Sequence, residues 1–273
     1  MTAPAMIYRP FGNTGLDVSI LSFGAATLGN VYGNLTDQDA TRVVSYAMDQ
    51  GINYFDTSPY YGDTLSETRL GNALRGHREK VILGTKGGHC PASAQKDFDF
   101  SAQGLRQSLN DSLKRLQTDY VDIYLLHDVE FEEREVIIHE ALPELYRLRE
   151  QGKIRFVGIS GYPLQNLQKI AEICLVDVIL SYSHYTLLNT TLMNSLVPFA
   201  QSNNIALINA SPLDMGLLTD QGPPAWHKIP DNVRVAVAKA IEVSRLHNTT
   251  LSRVALQFAL NNDAIATTLI GMQ

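Results

Sequence analysis

Short, nearly continuous apolar runs alternate with longer amphipathic ones along most of the chain. The short runs are Ile20–Phe23, Asn53–Phe55, Val81–Thr85, Val121–Leu126, Phe156–Ile159, Val178–Ser181, Ala206–Asn209 and Thr267–Ile270. Unalternating runs of this length read as strands buried on both faces. Helical patterns lie between them at Asp37–Gln50, Ser101–Leu116, Val136–Gln151, Leu164–Ile173, Asn189–Asn203, Asp231–Leu246 and Leu251–Asn261. Leu105, Leu109, Leu113 and Leu116 recur every three or four positions, one face of a helix. Thr36 is the expected cap of the first helix. Ahead of all this, Asn13-Thr14-Gly15 has the chemistry of a hairpin turn between two short extended pieces.

Strand and helix in alternation imply right-handed crossovers and a parallel sheet. Eight strands, the first seven each followed by a helix, predict an α/β fold, a (β/α)8 TIM barrel, with an N-terminal β-hairpin. A doubly wound open sheet competes, but no G-x-G-x-x-G follows the first strand. Residues 1–273 read as one barrel domain. The pattern stops at Ile270-Gly271-Met272-Gln273, so the C-terminal helix and tail of a complete barrel are not expected in it. Without them, the outer face where strand eight meets strand one is expected to lack its cover.

Composition narrows the function. Hydrophobic residues make up 45% and charged residues 18%, a globular balance. The net charge is −6 with no basic block, which predicts neither nucleic-acid nor membrane partners. The N-terminus lacks the apolar core of a signal peptide, and no run reaches the roughly 18 apolar residues of a membrane span. Cys90 and Cys174 are in no metal-like spacing, which predicts a reducing, cytoplasmic compartment and no metal site. Glu130–Glu135 reads as a solvated face.

In a barrel of this kind, the site lies at the C-terminal ends of the strands. The residues closing the apolar runs are Asp56, Lys86, His127, Ser160, Ser181-Tyr182 and Ala210-Ser211. Taken singly, each has a structural explanation: a helix cap, a lysine reaching solvent, a hydrogen-bonded core histidine. Taken together, Asp56, Lys86 and His127 close three successive strands and must converge on one mouth. Tyr61, in the loop after strand two, leans over it. A free phenol, with a pKa of about 10, is a weak base at neutral pH. An adjacent ammonium is expected to lower that value, and a carboxylate to hold the ammonium in place. The imidazole can then hydrogen-bond a substrate oxygen.

The motif FDTSPYYG ending in SETRLG, with GTK and LLHD downstream, resembles the aldo-keto reductases over essentially the whole chain. That resemblance implies a nicotinamide cofactor and an Asp56–Tyr61–Lys86–His127 tetrad. It also implies cofactor contacts at Gly24, Ala26, Asp56, Ser160, Tyr182, Ser211, Leu213, Gly216 and Leu217. Further segments (FGNTGLDVS, DTSPYYGDTLSE, DFSAQGLRQSLNDSLKRLQTDYVDI, VDVILSYSHY and SPLDMGLLTDQGPPAWH) are similar to the branch that oxidises the anomeric carbon of L-galactose to a lactone with NAD. Related branches act on L-fucose, D-arabinose or other aldoses. Tyr61, His127, Asp128 and Trp226 are the expected substrate contacts, Trp226 as a platform within Pro223–His227. The loop Gly87–Phe100, with His89, is expected to border the pocket.

Two positions depart from the family. Gly161 stands where many members have asparagine. Ala210 stands where an aromatic ring often stacks on the nicotinamide, and Tyr182 is expected either to replace a glutamine at the carboxamide or to supply that ring. The residues choosing NAD over NADP follow strand eight in the family, so NAD is the expected cofactor on resemblance and NADP stays open. Oligomeric state is not readable. The alternatives are a broader aldehyde or ketone reductase, a non-catalytic regulatory barrel, and a phosphosugar isomerase. The isomerase would need phosphate-cradling glycines after strands seven and eight, and SPLDMG does not supply them.

Overall fold

The computed structural model describes residues 5–225 and 227–272. Strands β1 (Tyr8–Pro10) and β2 (Asp17–Ser19) form an antiparallel hairpin. Eight parallel strands follow: β3 (Leu21–Gly24), β4 (Tyr54–Asp56), β5 (Ile82–Gly87), β6 (Val121–Leu126), β7 (Ile154–Gly161), β8 (Val178–Tyr182), β9 (Ala206–Ala210) and β10 (Thr267–Gly271). They close into a barrel in chain order, and β10 returns to β3 with Thr268 opposite Leu21 and Gly271 opposite Gly24. The (β/α)8 architecture and its hairpin are those the pattern predicts, and the open sheet is excluded.

Two apolar layers follow from strand pleating. Side chains such as Tyr54, Ile82, Ile123, Leu125, Val178, Leu180 and Ile208 fill the barrel interior. Alternate residues, among them Phe55, Leu83, Tyr124, Leu126, Ile159 and Ile179, pack outward under the helices. The hairpin plugs the end of the barrel where the strands begin. Phe11, fully buried, sets its ring 5.9 Å from that of Tyr54. The Asn13 amide donates to the Asn204 carbonyl at 3.0 Å. With that end sealed, the strand C-termini form the open end.

Helices Leu164–Ile173 and Asp231–Leu246 keep the expected limits, and Thr36 caps Asp37–Asp49 by accepting from the Asp39 amide. Three differences have physical causes. Leu65–Ala73 is a helix that the pattern missed, because its inner face buries Ser66, Glu67 and Arg69 among only two apolar side chains, Leu70 and Ala73. Helices Asp231–Leu246 and Leu251–Leu260 both fall between β9 and β10, so the seven expected helices were not distributed one per strand. The expected helix 189–203 divides into Thr191–Asn194 and Leu196–Asn203. Pro198 is the cause: it offers no amide hydrogen, and its ring crowds the carbonyl four residues back. Pro143 acts in the same way on the helix after β6, where Ile137–Ala141 widens into a π turn before Leu142–Glu150. Among the described residues, no helix is long and apolar enough to cross a membrane.

Candidate active site

The C-terminal ends of the strands surround a cavity of about 910 Å³. At its floor, Asp56 ends β4 and Lys86 lies on β5, both almost wholly buried. An ammonium has three hydrogens to donate. Lys86 Nζ gives one to Asp56 Oδ1, one to the Thr57 carbonyl at 2.8 Å and one to the Tyr61 hydroxyl at 3.3 Å. Tyr54 donates to the other Asp56 oxygen at 3.1 Å. The imidazole of His127, just past β6, stands edge-on to the Tyr61 ring, centroids 5.7 Å apart at 88°. The three residues read from the strand ends and Tyr61 from the loop after β4 therefore meet at one place.

Electrostatics alters one expectation. Burial pushes the Tyr61 phenol up to about 12, and the Lys86 ammonium opposes this without overcoming it. Desolvation outweighs the single nearby cation, so the phenol is not poised near neutrality by Lys86 alone. Burial disfavours the Lys86 ammonium, yet Asp56 and Tyr61 outweigh it and hold the amine above its ordinary value. Burial pushes the Asp56 carboxyl up, against the pull of Lys86. His127 is lowered to about 3 by burial, which leaves it neutral at physiological pH and able to serve as a hydrogen-bond donor.

Gly62 sets the height of the Tyr61 loop. Its φ is +62°, and a Cβ there would lie 2.1 Å from the Gly29 carbonyl oxygen. Only glycine lets the two backbones meet this closely. Gly62→Ala is therefore expected to lose at least about 2 kcal/mol of stability, from the left-handed backbone and the clash together, with turnover falling too. Denaturant unfolding and initial rates check it.

The SETRLG segment, unexplained as sequence, is the scaffold of this rim. Ser66 donates to the Ala25 carbonyl at 2.7 Å, and Arg69 reaches the Leu28 and Leu35 carbonyls, each at 2.7 Å. These bonds shape the loop whose Ala26, Thr27, Val31 and Tyr32 line the cavity. Glu67, wholly buried, accepts from Thr85 at 2.6 Å and Arg115 at 2.7 Å, tying the segment to β5 and the next helix.

Gly24, Ala26, Ser160, Tyr182, Ser211, Leu213 and Gly216 all line the cavity together with the tetrad. Leu217 does not. It packs with Leu218, Val237, Leu251 and Ala255 beneath the loop after β9. Ser211, Asp214 and Met215 hold left-handed backbone there, a strain that concentrates at ligand-binding loops. Ala210 and Tyr182 stand side by side across β8 and β9, both facing the cavity. Trp226 lies outside the described residues, while Pro223 and Pro224 before it reach the rim.

Glu130 corrects the reading of 130–135 as a solvated face. It sits half-buried on the turn after β6 and accepts from the Tyr162 amide at 2.9 Å, and burial pushes its carboxyl up. The absence of a side chain at Gly161 makes room for it: a Cβ there would lie 2.3 Å from Glu130 Oε2.

His89 borders the cavity, as the sequence predicts for the loop Gly87–Phe100, but the stacked wall it belongs to was not legible there. The Tyr60 and His89 rings stack with centroids 3.7 Å apart, and Phe98 and Phe131 continue the column. His89 Nδ1 lies 2.9 Å from Asp128 Oδ2. Burial works against the Asp128 carboxylate, but His127, His89 and Lys86 hold it below its ordinary range. Donor atoms of His89, His127 and Asp128 lie within 4.8 Å of one another, close enough to hold a metal ion, although the His89–Asp128 contact already engages two of them.

Comparison with known proteins agrees with this fold. The model of the aldo/keto reductase family matches residues 20–273. L-galactose dehydrogenase of Arabidopsis thaliana is 44% identical over 270 residues, 97% of this chain and 83% of that protein. D-arabinose 1-dehydrogenase of Saccharomyces cerevisiae is 34% identical, over 89% of this chain and 76% of that protein. Among solved structures, an aldo-keto reductase from Bacillus halodurans in its holo form superposes with a TM-score of 0.82 at 28% identity, covering 98% of this chain and 86% of that one. The barrel, the four residues converging at its open end and these likenesses lead to one conclusion: the chain belongs to the aldo/keto reductase family.

Proposed function

We propose that this protein is an NAD(P)-dependent dehydrogenase that oxidises the anomeric carbon of an aldose to the lactone, with L-galactose the favoured sugar and NAD the favoured cofactor. The observation that carries the reading is the meeting of Asp56, Tyr61, Lys86 and His127 at the floor of one cavity. At about 910 Å³, that cavity lies toward the upper end of small-molecule pockets and has room for a cofactor beside a monosaccharide. Its lining fits a nicotinamide cofactor: Gly24, Ala26, Ser160, Tyr182, Ser211, Leu213 and Gly216 would hold it next to the tetrad. When bound, it supplies the hydride acceptor.

The chain's own residues then have separate tasks. Tyr61 takes the proton from the C1 hydroxyl. It can do so only as the phenolate and becomes the phenol in the step; Lys86 stabilises that phenolate beforehand, and Asp56 keeps Lys86 charged and in place. A second positive charge in the cavity, such as an oxidised nicotinamide ring, would add to the pull of Lys86 against the effect of burial. His127 hydrogen-bonds the C1 oxygen. Asp128, an ionised carboxylate on the cavity wall, accepts from the sugar hydroxyls, and the Tyr60–His89 wall bounds the sugar. The cytoplasm is the compartment that suits the free cysteines Cys90 and Cys174.

Initial rates of reduced-cofactor formation with L-galactose, L-fucose and D-arabinose, each with NAD and NADP, test the reading. L-galactose with NAD is expected to be fastest. Turnover confined to simple aldehydes would instead favour a general reductase. Cofactor binding without turnover of any carbonyl or sugar would favour a regulatory barrel.

A further inference from the structure

Ser58 lies two residues beyond Asp56, wholly buried, at a point the tetrad does not explain. Its Oγ accepts the Tyr60 amide at 3.2 Å and stands 3.1 Å from His127 Nδ1. A serine hydroxyl has one hydrogen to give. Among the described residues, His127 Nδ1 is the one acceptor within reach of it. The hydrogen therefore points to Nδ1, which must be bare to receive it.

The far side of the ring agrees. His127 Nε2 stands 3.7 Å from Asp128 Oδ2. A bare nitrogen there would turn its lone pair toward a carboxylate, whereas an N–H is attracted to it. His89 Nδ1, 2.9 Å from the same oxygen, completes the chain of donors and acceptors on that wall. Two contacts on opposite sides of the imidazole thus select the same proton position.

We infer that Ser58 is a positioning residue that locks His127 in the Nε2–H tautomer, so that the ring presents a hydrogen-bond donor to the substrate's reacting oxygen. A tautomer with the proton on Nδ1 would present a lone pair to that oxygen and repel it. The catalytic consequence rests on the function proposed above; the tautomer itself does not.

The test is ¹⁵N-histidine NMR of the cofactor-free chain at neutral pH, with the His127 signals identified by their loss in His127→Gln. A protonated Nε2 and a bare, hydrogen-bonded Nδ1 are expected. Ser58→Ala should replace this signature with a mixture of tautomers. Turnover of whichever substrate the enzyme accepts should fall roughly tenfold, the equivalent of one neutral hydrogen bond. Cofactor affinity should stay unchanged, and Ser58→Thr, which keeps the hydroxyl, should restore both signature and rate. A proton on Nδ1 in the unaltered protein overturns the proposal, as does a Ser58→Ala variant that keeps both tautomer and turnover. Because the NMR reading needs no turnover, failure of the aldose reading leaves this test intact.

Discussion

Tyr61→Phe is expected to bind the nicotinamide cofactor as the unaltered protein does, yet to lose about 10²–10⁴-fold in turnover. The substitution removes only the oxygen that lies 3.3 Å from Lys86 Nζ, leaving the ring against His127 and the pocket shape in place. Cofactor titration by fluorescence and steady-state rates measure the two halves separately. The same phenol gives the reaction its pH dependence. With its pKa pushed up to about 12, it must lose its proton before it can take one from the C1 hydroxyl. Oxidation should accordingly quicken as pH rises into the alkaline range, and reduction of the corresponding carbonyl should slow. Turnover that survives Tyr61→Phe would place the proton transfer on another group.

Lys86→Met is the second change with a large effect, and it should act on both activity and stability. The ammonium is the one cation in contact with the tyrosine hydroxyl among the described residues, so its loss leaves burial unopposed and raises the phenol further. Oxidation should fall at least about 10²-fold. Asp56, almost wholly buried, would also be left with an uncompensated charge, which costs about 3–5 kcal/mol when one partner of a buried pair is removed. Pairing the change with Asp56→Asn separates the two effects. Chemical denaturation of the double variant should recover much of the lost stability, while its turnover stays low. Recovery of turnover as well would mean that Lys86 acts only as structural support.

How far the site could be read in advance depended on where its parts lie along the chain. Asp56, Lys86 and His127 were legible because parallel strands expose their last residues at a common end, which turns sequence position into spatial position. Strand β6 could be bounded to the residue because it is buried on both faces. Helix Leu65–Ala73 escaped because it buries polar groups and contains Gly71, where a Cβ would meet the Arg115 carbonyl at 2.3 Å. Apolar periodicity cannot register a face held by hydrogen bonds. The Tyr60–His89–Phe98–Phe131 column joins three loops, and no local pattern encodes such contacts. The direction of the Tyr61 shift was misjudged for a similar reason. A sequence names the neighbouring cation but not the depth of burial that outweighs it.

The closure of β10 on β3 also has a consequence for synthesis. Ser22 and Thr267, hydrogen-bonded in the finished seam, are 245 residues apart. At roughly 5–20 residues per second, a ribosome takes about 12–50 s to make that interval. Once β4 is made, β3 has it on one flank and an unpaired row of backbone donors and acceptors on the other until β10 arrives. Such an edge can recruit another strand, including one from a neighbouring nascent chain. The nascent chain therefore carries an open sheet edge until its last strand is made.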